Sequence, residues 1–336
     1  MSRYPQSEEL EAAMHDVVVI GGGPCGLAAA AYAREAGLDC LVVEKGGLVN
    51  TISRFPSAMR LYSTSDRLEI GNIPFLSEEE RPTRQEALRY YRSAAMRMNL
   101  NVQTFHTVQR VERREDGFAI HAVNHNGRPR LFSGKSVILA TGTYDQPRRL
   151  HIPGEELPKV SHYYSEGHSY AGRRVLVVGG KNSAVEAAID LYRCGAEVTL
   201  VHRGDTVLKG IKPTLLLDIR NMIEKQRIRF YGGASVVTIE EEEVQVETPE
   251  GTVRLGNDFV FSLIGYRPDA AFLAGIGVDL DPETQVPVFD PVTYETNVPN
   301  VFVAGVLAGG ITNKVFIDDG RLHGEAIAQE LRGRLL

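Results

Sequence analysis

The stretch Asp16-Val-Val-Val-Ile-Gly-Gly-Gly-Pro-Cys-Gly26 matches Arg174-Val-Leu-Val-Val-Gly-Gly-Lys-Asn-Ser-Ala184 without a gap, at an offset of 158 residues. The match runs on, with Gly37 falling on Gly195 and Val43-Glu44-Lys45 on Val201-His202-Arg203. Each copy reads as a β-branched apolar run, a glycine-rich turn, an alanine-rich helical stretch ending near Gly, and a second apolar strand. β-Branched residues favour strands, while glycine supplies the backbone freedom a tight turn needs. Each copy is therefore a βαβ unit carrying a G-x-G-x-x-G pattern or its variant at the first strand-to-helix turn. One such pattern alone is weak. Two in the same context, each followed 23 residues on by a polar residue at a strand end, are specific.

The residue types follow from what a dinucleotide demands. In the first copy Gly21 permits the sharp turn, Gly23 lets backbone approach a pyrophosphate, and Gly26 lets the helix pack close to the sheet. Gly22, Pro24 and Cys25 complete that turn, whose helix N-terminal amides would receive phosphate charge. Glu44 is placed to accept from ribose hydroxyls. In the second copy the turn comprises Gly179, Gly180, Lys181, Asn182, Ser183 and Ala184, and the strand-end pair is His202 and Arg203. A carboxylate at that point repels a 2′-phosphate, whereas Arg and protonated His attract one. The first site thus suits an unphosphorylated adenosine ribose and the second suits NADPH. Lys209 and Lys212 either add charge to the second pocket or are solvated surface lysines.

The whole chain sets bounds on the rest. Its 336 residues suggest two domains at about 150 residues each. Hydrophobic residues make up 43% and charged residues 24%, the composition of a globular chain, and no apolar run is long enough for a transmembrane helix. Glu8, Glu9 and Glu11 stand where a signal peptide needs a basic start and an apolar core, so secretion by that route is not expected. A net charge of −6 argues against a nucleic-acid partner. Three cysteines exclude a disulfide scaffold and fit a reducing cytoplasm, the expected location. No His/Cys grouping has zinc spacing, and no metal is expected.

Two further strands, Ser136-Val-Ile-Leu-Ala-Thr-Gly142 and Asn300-Val-Phe-Val-Ala-Gly305, end in glycine. With the two fingerprints they make the chain resemble the two-dinucleotide-domain flavoproteins of the thioredoxin-reductase type. That resemblance implies an α/β fold of two Rossmann-like dinucleotide-binding domains. An FAD domain would be built from residues 1–148 and 268–336, with an NADPH domain, residues 152–267, inserted between them. The crossings would lie in Tyr144-Asp-Gln-Pro-Arg-Arg and Gly265-Tyr-Arg-Pro-Asp269. Ala140, Thr141, Gly142 and Gly305 would flank the flavin; Lys45, Asn50, Val108, Lys314, Val315 and Phe316 complete the FAD set that the resemblance assigns.

Thioredoxin reductases carry a Cys-x-x-Cys in the NADPH domain, and here Cys25, Cys40 and Cys194 are all far apart. Cys40 and Cys194 read as small buried hydrophobes. Cys25 lies in the fingerprint turn itself, where a helix start lowers a thiol pKa but a neighbouring pyrophosphate opposes a second negative charge. It is either a small residue fitting under the cofactor or a redox-active thiol.

The segments Leu61-Tyr-Ser-Thr-Ser-Asp-Arg-Leu-Glu-Ile-Gly-Asn-Ile-Pro-Phe75 and Arg81-Pro-Thr-Arg-Gln-Glu-Ala-Leu-Arg-Tyr-Tyr-Arg92 narrow the likeness. Together with Gly-Gly-Pro-Cys-Gly26, Gly-Gly-Lys-Asn-Ser-Ala184, Gly210-Ile-Lys-Pro213 and Val315-Phe-Ile-Asp-Asp-Gly-Arg321, they resemble the bacillithiol-disulfide reductase (YpdA-like) family. In thioredoxin-reductase relatives an Asp follows the glycine of the last FAD strand and binds the ribityl chain; Val306 stands there here, as in the YpdA-like group. The resemblance implies FAD and NADPH as cofactors and a small-molecule disulfide, that of bacillithiol, as electron acceptor. The electrons would reach it through Cys25 as a mixed disulfide or directly from the flavin. A homo-oligomer is the expected assembly.

Two other classes are weighed against this. A ferredoxin–NADP reductase also has two fingerprints and no Cys-x-x-Cys, and a non-enzymatic sensor would bind both cofactors without turnover. A flavin monooxygenase would require Phe and Gly where Glu156 and Pro158 stand before His162. His162, His168, Tyr163, Tyr164 and Tyr170 either line a substrate entrance or pack between domains.

Overall fold

The computed structural model describes residues 13–205, 211–312 and 314–336; Glu8, Glu9, Glu11, Lys209 and Gly210 lie outside them. The chain divides into two compact units. One takes residues 1–54, 59–146 and 267–336, the other residues 55–58 and 147–266.

The first unit opens with β1 (Met14–Ile20), α1 (Pro24–Glu35) and β2 (Cys40–Val43), followed by the short α2 (Asn50–Ser53) and α3 (Arg84–Arg97). Thr83 caps α3 with a reciprocal box: its hydroxyl takes the Glu86 N–H while Glu86 takes the Thr83 N–H at 2.7 Å. β3 (Asn101–Gln103), β4 (His106–Arg114), β5 (Gly117–Asn124) and β6 (Pro129–Leu139) follow.

The second unit holds β7 (Val160–Ser161), β8 (Arg174–Val178), α4 (Asn182–Arg193), β9 (Glu197–Val201), α5 (Pro213–Glu224) and β10 (Arg229–Tyr231). β11 (Ser235–Ile239), β12 (Glu243–Thr248), β13 (Gly251–Gly256) and β14 (Phe259–Ser262) complete it. Its five-stranded sheet runs β10-β9-β8-β14-β7 and is parallel throughout. The three inner strands β9, β8 and β14 are largely buried apolar runs, as strands covered on both faces require, whereas the edge strands β7 and β10 are only partly buried. A separate antiparallel sheet, β11-β12-β13, carries Glu240–Glu243 at its first hairpin turn.

Back in the first unit come α6 (Ala270–Ile276), β15 (Val301–Val303), α7 (Ile317–Gly320) and α8 (His323–Leu335). β6 serves two partners along one edge. Residues 129–134 pair antiparallel with β5, and residues 137–139 pair parallel with β15. The parallel core is therefore β3-β2-β1-β6-β15, a doubly wound order in which ligands meet the carboxyl ends of the strands. Val18, Ile20, Leu41, Val137 and Val303 fill one face of that sheet, and Val17, Val19, Val42, Ile138 and Phe302 fill the other.

The two copies superpose in register as well as in sequence. Adding 158 to the bounds of α1 gives those of α4. Gly21 donates to the Val43 carbonyl at 2.9 Å, and Gly179 donates to that of Val201 at 2.9 Å. Each helix ends at a glycine with positive φ, Gly37 at 87° and Gly195 at 88°, the left-handed C′ position where glycine is strongly favoured. Cys40 and Cys194 are half-buried rather than fully enclosed, because Cys40 starts an outer strand pair and Cys194 caps α4. Among the described residues no helix is long and apolar enough to cross a membrane.

Candidate dinucleotide sites

In the first unit the fingerprint turn sits at the carboxyl ends of β1, β2 and β6. Gly21 has φ of 112°, and a Cβ there would run into the Ala140 carbonyl, so the turn and the end of β6 touch backbone to backbone. A Cβ at Gly26 would strike the Gly21 carbonyl, which is what holds α1 against the turn. Gly23 and Gly142 face open space, with nothing within 4 Å of either Cβ position. A backbone cradle that stays open at those two points fits a ligand that lies against main chain. Thr141, between Ala140 and Gly142, is half-buried at the same strand end.

Glu44 closes the floor of this turn. Its Oε2 accepts the Gly22 N–H at 2.6 Å and its Oε1 accepts the Gly46 N–H at 2.8 Å. Burial pushes its carboxyl above the usual carboxylate range, opposed by those two backbone donors. Gly22 in turn accepts from Val49 N–H at 3.0 Å, and Val49 adopts the left-handed region at φ 49° to begin α2. Asn50 starts α2 and lies against Gly46, where a Cβ would collide with its side chain. Lys45 pairs with Asp145 at 2.5 Å, and Arg54 reaches the same carboxylate at 2.7 Å. Sequence reasoning missed Gly46, Val49 and Asp145. The Gly46-Gly47 pair directly after Lys45 was the available signal for the first of these.

Val108 is on β4, half-buried against the core of the sheet, at the start of a bulge that ends at Arg110. Its side chain packs on the core of the unit, and His106 on the same strand donates its N–H to the Glu44 carbonyl at 2.9 Å. Val315 packs on Gly309, Lys314 is exposed, and Phe316 caps α7 with 48% of its surface exposed.

Cys25 is buried where three chain segments meet. A Cβ on Gly305 would lie 2.9 Å from its Sγ, and one on Gly320 would lie 3.1 Å away. Burial pushes the thiol up to about 12, with the Asp318 carboxylate adding to the effect while Arg321 and the Val306 N–H oppose it. Enclosure outweighs the helix N-terminus here. At neutral pH the group is a thiol.

In the second unit Gly179 has φ of 143°, and its Cβ would meet the Leu263 carbonyl and, at 2.8 Å, the Ala184 methyl. Lys181 stands in extended backbone, φ −111° and ψ −176°, which any residue adopts; its place in a glycine pattern needs no special dihedral. Its side chain is exposed, as is Ser183. The His202 imidazole lies flat on the turn. A Cβ at Gly180 would overlap the ring, and one at Gly204 would lie 2.8 Å from Nε2. Burial and the neighbouring Arg203 guanidinium hold this histidine below its usual pKa, so at neutral pH the positive charge of the pair rests on exposed Arg203. Asn182 Oδ1 accepts the N–H of Lys212, the residue before α5, at 3.0 Å. His162 is buried beside the Arg149 guanidinium, 2.7 Å from its Nε2, within this unit. Among the described residues no group of three or more His, Cys, Asp or Glu could hold a metal.

The profile of the pyridine nucleotide-disulphide oxidoreductase family matches residues 18–305. The chain is similar to Bacilliredoxin reductase Bdr of Bacillus subtilis (strain 168), 43% identical over 320 residues that cover 94% of this chain and 97% of the relative. Among solved structures it is similar to Bacillithiol Disulfide Reductase Bdr (YpdA) from Bacillus cereus, with a TM-score of 0.94 and 40% identity over 96% of this chain and all of that one, 100%. The thioredoxin reductase of T. acidophilum shares the fold at a TM-score of 0.76 and 23% identity, over 95% of this chain and 98% of that one.

Proposed function

The chain belongs to the pyridine nucleotide-disulphide oxidoreductase family, with FAD and NADPH as its cofactors, and from that premise we propose that it reduces the disulfide of bacillithiol at the expense of NADPH. The reaction balances as NADPH, one proton and a disulfide giving NADP⁺ and two thiols. When bound, FAD supplies the two-electron chemistry between the nicotinamide and the disulfide.

The protein's own residues divide the task. Gly21, Gly22, Gly23, Pro24 and Gly26 present backbone to one dinucleotide, with Glu44 fixing the turn from beneath. Gly179, Gly180, Lys181, Asn182, Ser183 and Ala184 present the second turn, and Arg203 carries the cation that favours a 2′-phosphate. Ala140, Thr141, Gly142 and Gly305 supply the strand ends beside the first turn.

The observation that carries the reading is the pairing of two intact dinucleotide turns with the absence of any second cysteine near Cys25. Cys25 and Cys40 lie on separate elements of the first unit, and Cys194 lies in the second. With no dithiol to relay electrons to a protein disulfide, the acceptor is a small disulfide that meets the flavin directly. Cys25 packs under Gly305 and Gly320, and burial pushes its thiol up to about 12, which disfavours the thiolate that attacks disulfides. A bacillithiol joined to a bacilliredoxin presents a mixed disulfide, a different S–S bond that needs the same two electrons, and is the second acceptor to be tested.

Steady-state NADPH oxidation against a panel separates the readings. Bacillithiol disulfide, a bacillithiol-loaded bacilliredoxin, thioredoxin, ferredoxin and a quinone are offered in turn. Turnover with one of the first two and none with thioredoxin is expected. Turnover with ferredoxin alone would replace this reading by an electron-carrier reductase, and none with any acceptor would favour a sensor.

A further inference from the structure

The segment that follows β2 holds the first fingerprint turn at two points. Glu44 Oε2 takes the Gly22 N–H at 2.6 Å, and the Val49 N–H returns to the Gly22 carbonyl at 3.0 Å. The two ends of the same segment then meet one residue. Lys45 Nζ lies 2.5 Å from Asp145 Oδ2, and Arg54 Nη1 lies 2.7 Å from Asp145 Oδ1. Tyr144, next to Asp145, donates its hydroxyl to the Arg54 carbonyl at 3.2 Å, and the Arg54 guanidinium stands over the Tyr144 ring, 5.3 Å from its centroid.

The sheet order gives this joint its place. β1 pairs with β2 on one side and with β6 on the other, Ile20 standing opposite both Val43 and Leu139. Val43 and Leu139 are therefore two strand spacings apart, about 9–10 Å, with the fingerprint turn leaving β1 between them. Lys45 lies just past the end of β2 and Asp145 past the end of β6. Their ion pair thus crosses the carboxyl end of β1, where a doubly wound sheet takes its ligand. Besides burial and its two backbone donors, the Glu44 carboxyl beneath Gly22 feels both charges of the pair, Lys45 lowering its pKa and Asp145 raising it.

We propose that Asp145 is a positioning residue for FAD retention: its carboxylate, shared between Lys45 and Arg54, straps the segment after β2 to the end of β6 across the first dinucleotide turn, so FAD leaves only when the strap opens. The inference rests on the FAD assignment of that turn. It gives Lys45 a different task from that of a phosphate ligand, since a cation held by Asp145 acts on the dinucleotide through that carboxylate. The three side chains keep between 28% and 41% of their surface exposed, so the pairs are screened by salt and each contributes modestly.

The test is the rate at which bound FAD exchanges for an excess of radiolabelled FAD, read on protein recovered by filtration at timed intervals. Asp145→Asn should speed exchange roughly two- to thirtyfold, the range for losing two partly exposed ion pairs, and Asp145→Glu should restore most of the wild-type rate. Raising the salt from about 0.02 M to about 0.5 M should speed the wild type and leave Asp145→Asn nearly unchanged. In the Asp145→Asn background, Lys45→Met should speed exchange no further. Exchange in Asp145→Asn at the wild-type rate, or slower because the released cations reach the phosphates, overturns the proposal. So does a wild-type salt dependence in that variant, or a further acceleration by Lys45→Met. If Asp145→Asn does not fold, Lys45→Met and Arg54→Met decide: each should speed exchange, and wild-type rates in both overturn the proposal. A wild-type protein that takes up no FAD would instead refute the underlying site assignment.

Discussion

The Gly22 N–H reaches Glu44 Oε2 across 2.6 Å, whereas the matching pair in the second copy, Gly180 and His202, meets by ring contact with no carboxylate. The same backbone frame is thus closed by an acceptor in one site and by a neutral ring beside a cation in the other. On the proposed assignment, that difference suits the first site to an unphosphorylated ribose and the second to a 2′-phosphate.

Removing the Glu44 carboxylate should cost the first site its floor. In Glu44→Ala the Gly22 and Gly46 N–H groups lose their partners in a buried setting, a loss of about 1–3 kcal/mol. FAD affinity should fall by roughly tenfold or more at that cost, while NADP⁺ affinity stays unchanged. Titrating the apoprotein with FAD by flavin fluorescence checks this, and wild-type affinity in the variant would remove Glu44 from the site.

Cofactor preference should rest on Arg203. Losing one charge-assisted phosphate contact costs about 1.5–3 kcal/mol, so Arg203→Glu should raise the KM for NADPH by roughly ten- to a hundredfold. The KM for NADH should change far less. Parallel increases for both cofactors would place the 2′-phosphate elsewhere.

The Phe289, Tyr294 and His323 rings form a stack, with centroids 5.7 Å and then 4.2 Å apart. Burial holds His323 down at about 4 against 6.5 for a free histidine, with only the Asp319 carboxylate favouring its charge. The unfolded chain therefore binds this proton first as pH falls. The contribution of this one group is fully present above about pH 6.5 and is lost as pH drops toward 4, an effect on the order of 3 kcal/mol at most. Chemical denaturation at pH 7 and pH 4.5 should show that loss in the wild type, and His323→Phe should reduce it while keeping the ring stack. An unchanged pH slope in His323→Phe would assign the acid sensitivity to other groups.

The thiol of Cys25 leaves no room at its neighbours. Gly305→Ala forces a residue with φ of 74° and a Cβ 2.7 Å from that of Cys25, so it should destabilise the first unit by about 1–3 kcal/mol. Combining it with Cys25→Ala should recover part of the loss by relieving the Sγ contact. Thermal unfolding of the two single variants and the double variant measures the coupling, and strict additivity would show that the thiol is not what confines Gly305.

Much of this architecture was readable because it is local. The turn glycines, the alanine-rich helices and the apolar strands recur at one offset, so both βαβ units and the ends of α1 and α4 follow from short-range rules. What escaped the sequence is made by residues distant along the chain. Cys25 owes its enclosure to Gly305 and Gly320, and its helix position alone suggested a more acidic thiol. The charge expected of His202 is suppressed by Arg203 and by packing between Gly180 and Gly204. Val108 lies in a strand whose bulge no local pattern announced, and Phe55 to Ala58 fold with the second unit although they lie amid the first in sequence.

The most direct test of the central claim is the second half-reaction, observed without oxygen. The flavin is first reduced with one equivalent of NADPH in a stopped-flow instrument, then mixed with bacillithiol disulfide, free or on a bacilliredoxin, while the oxidised flavin band is followed. The wild type and Cys25→Ala should both recover that band, and thioredoxin should leave the flavin reduced. A flavin that stays reduced with either form of the bacillithiol disulfide would contradict the substrate assignment, and recovery lost only in Cys25→Ala would restore the thiol as the relay.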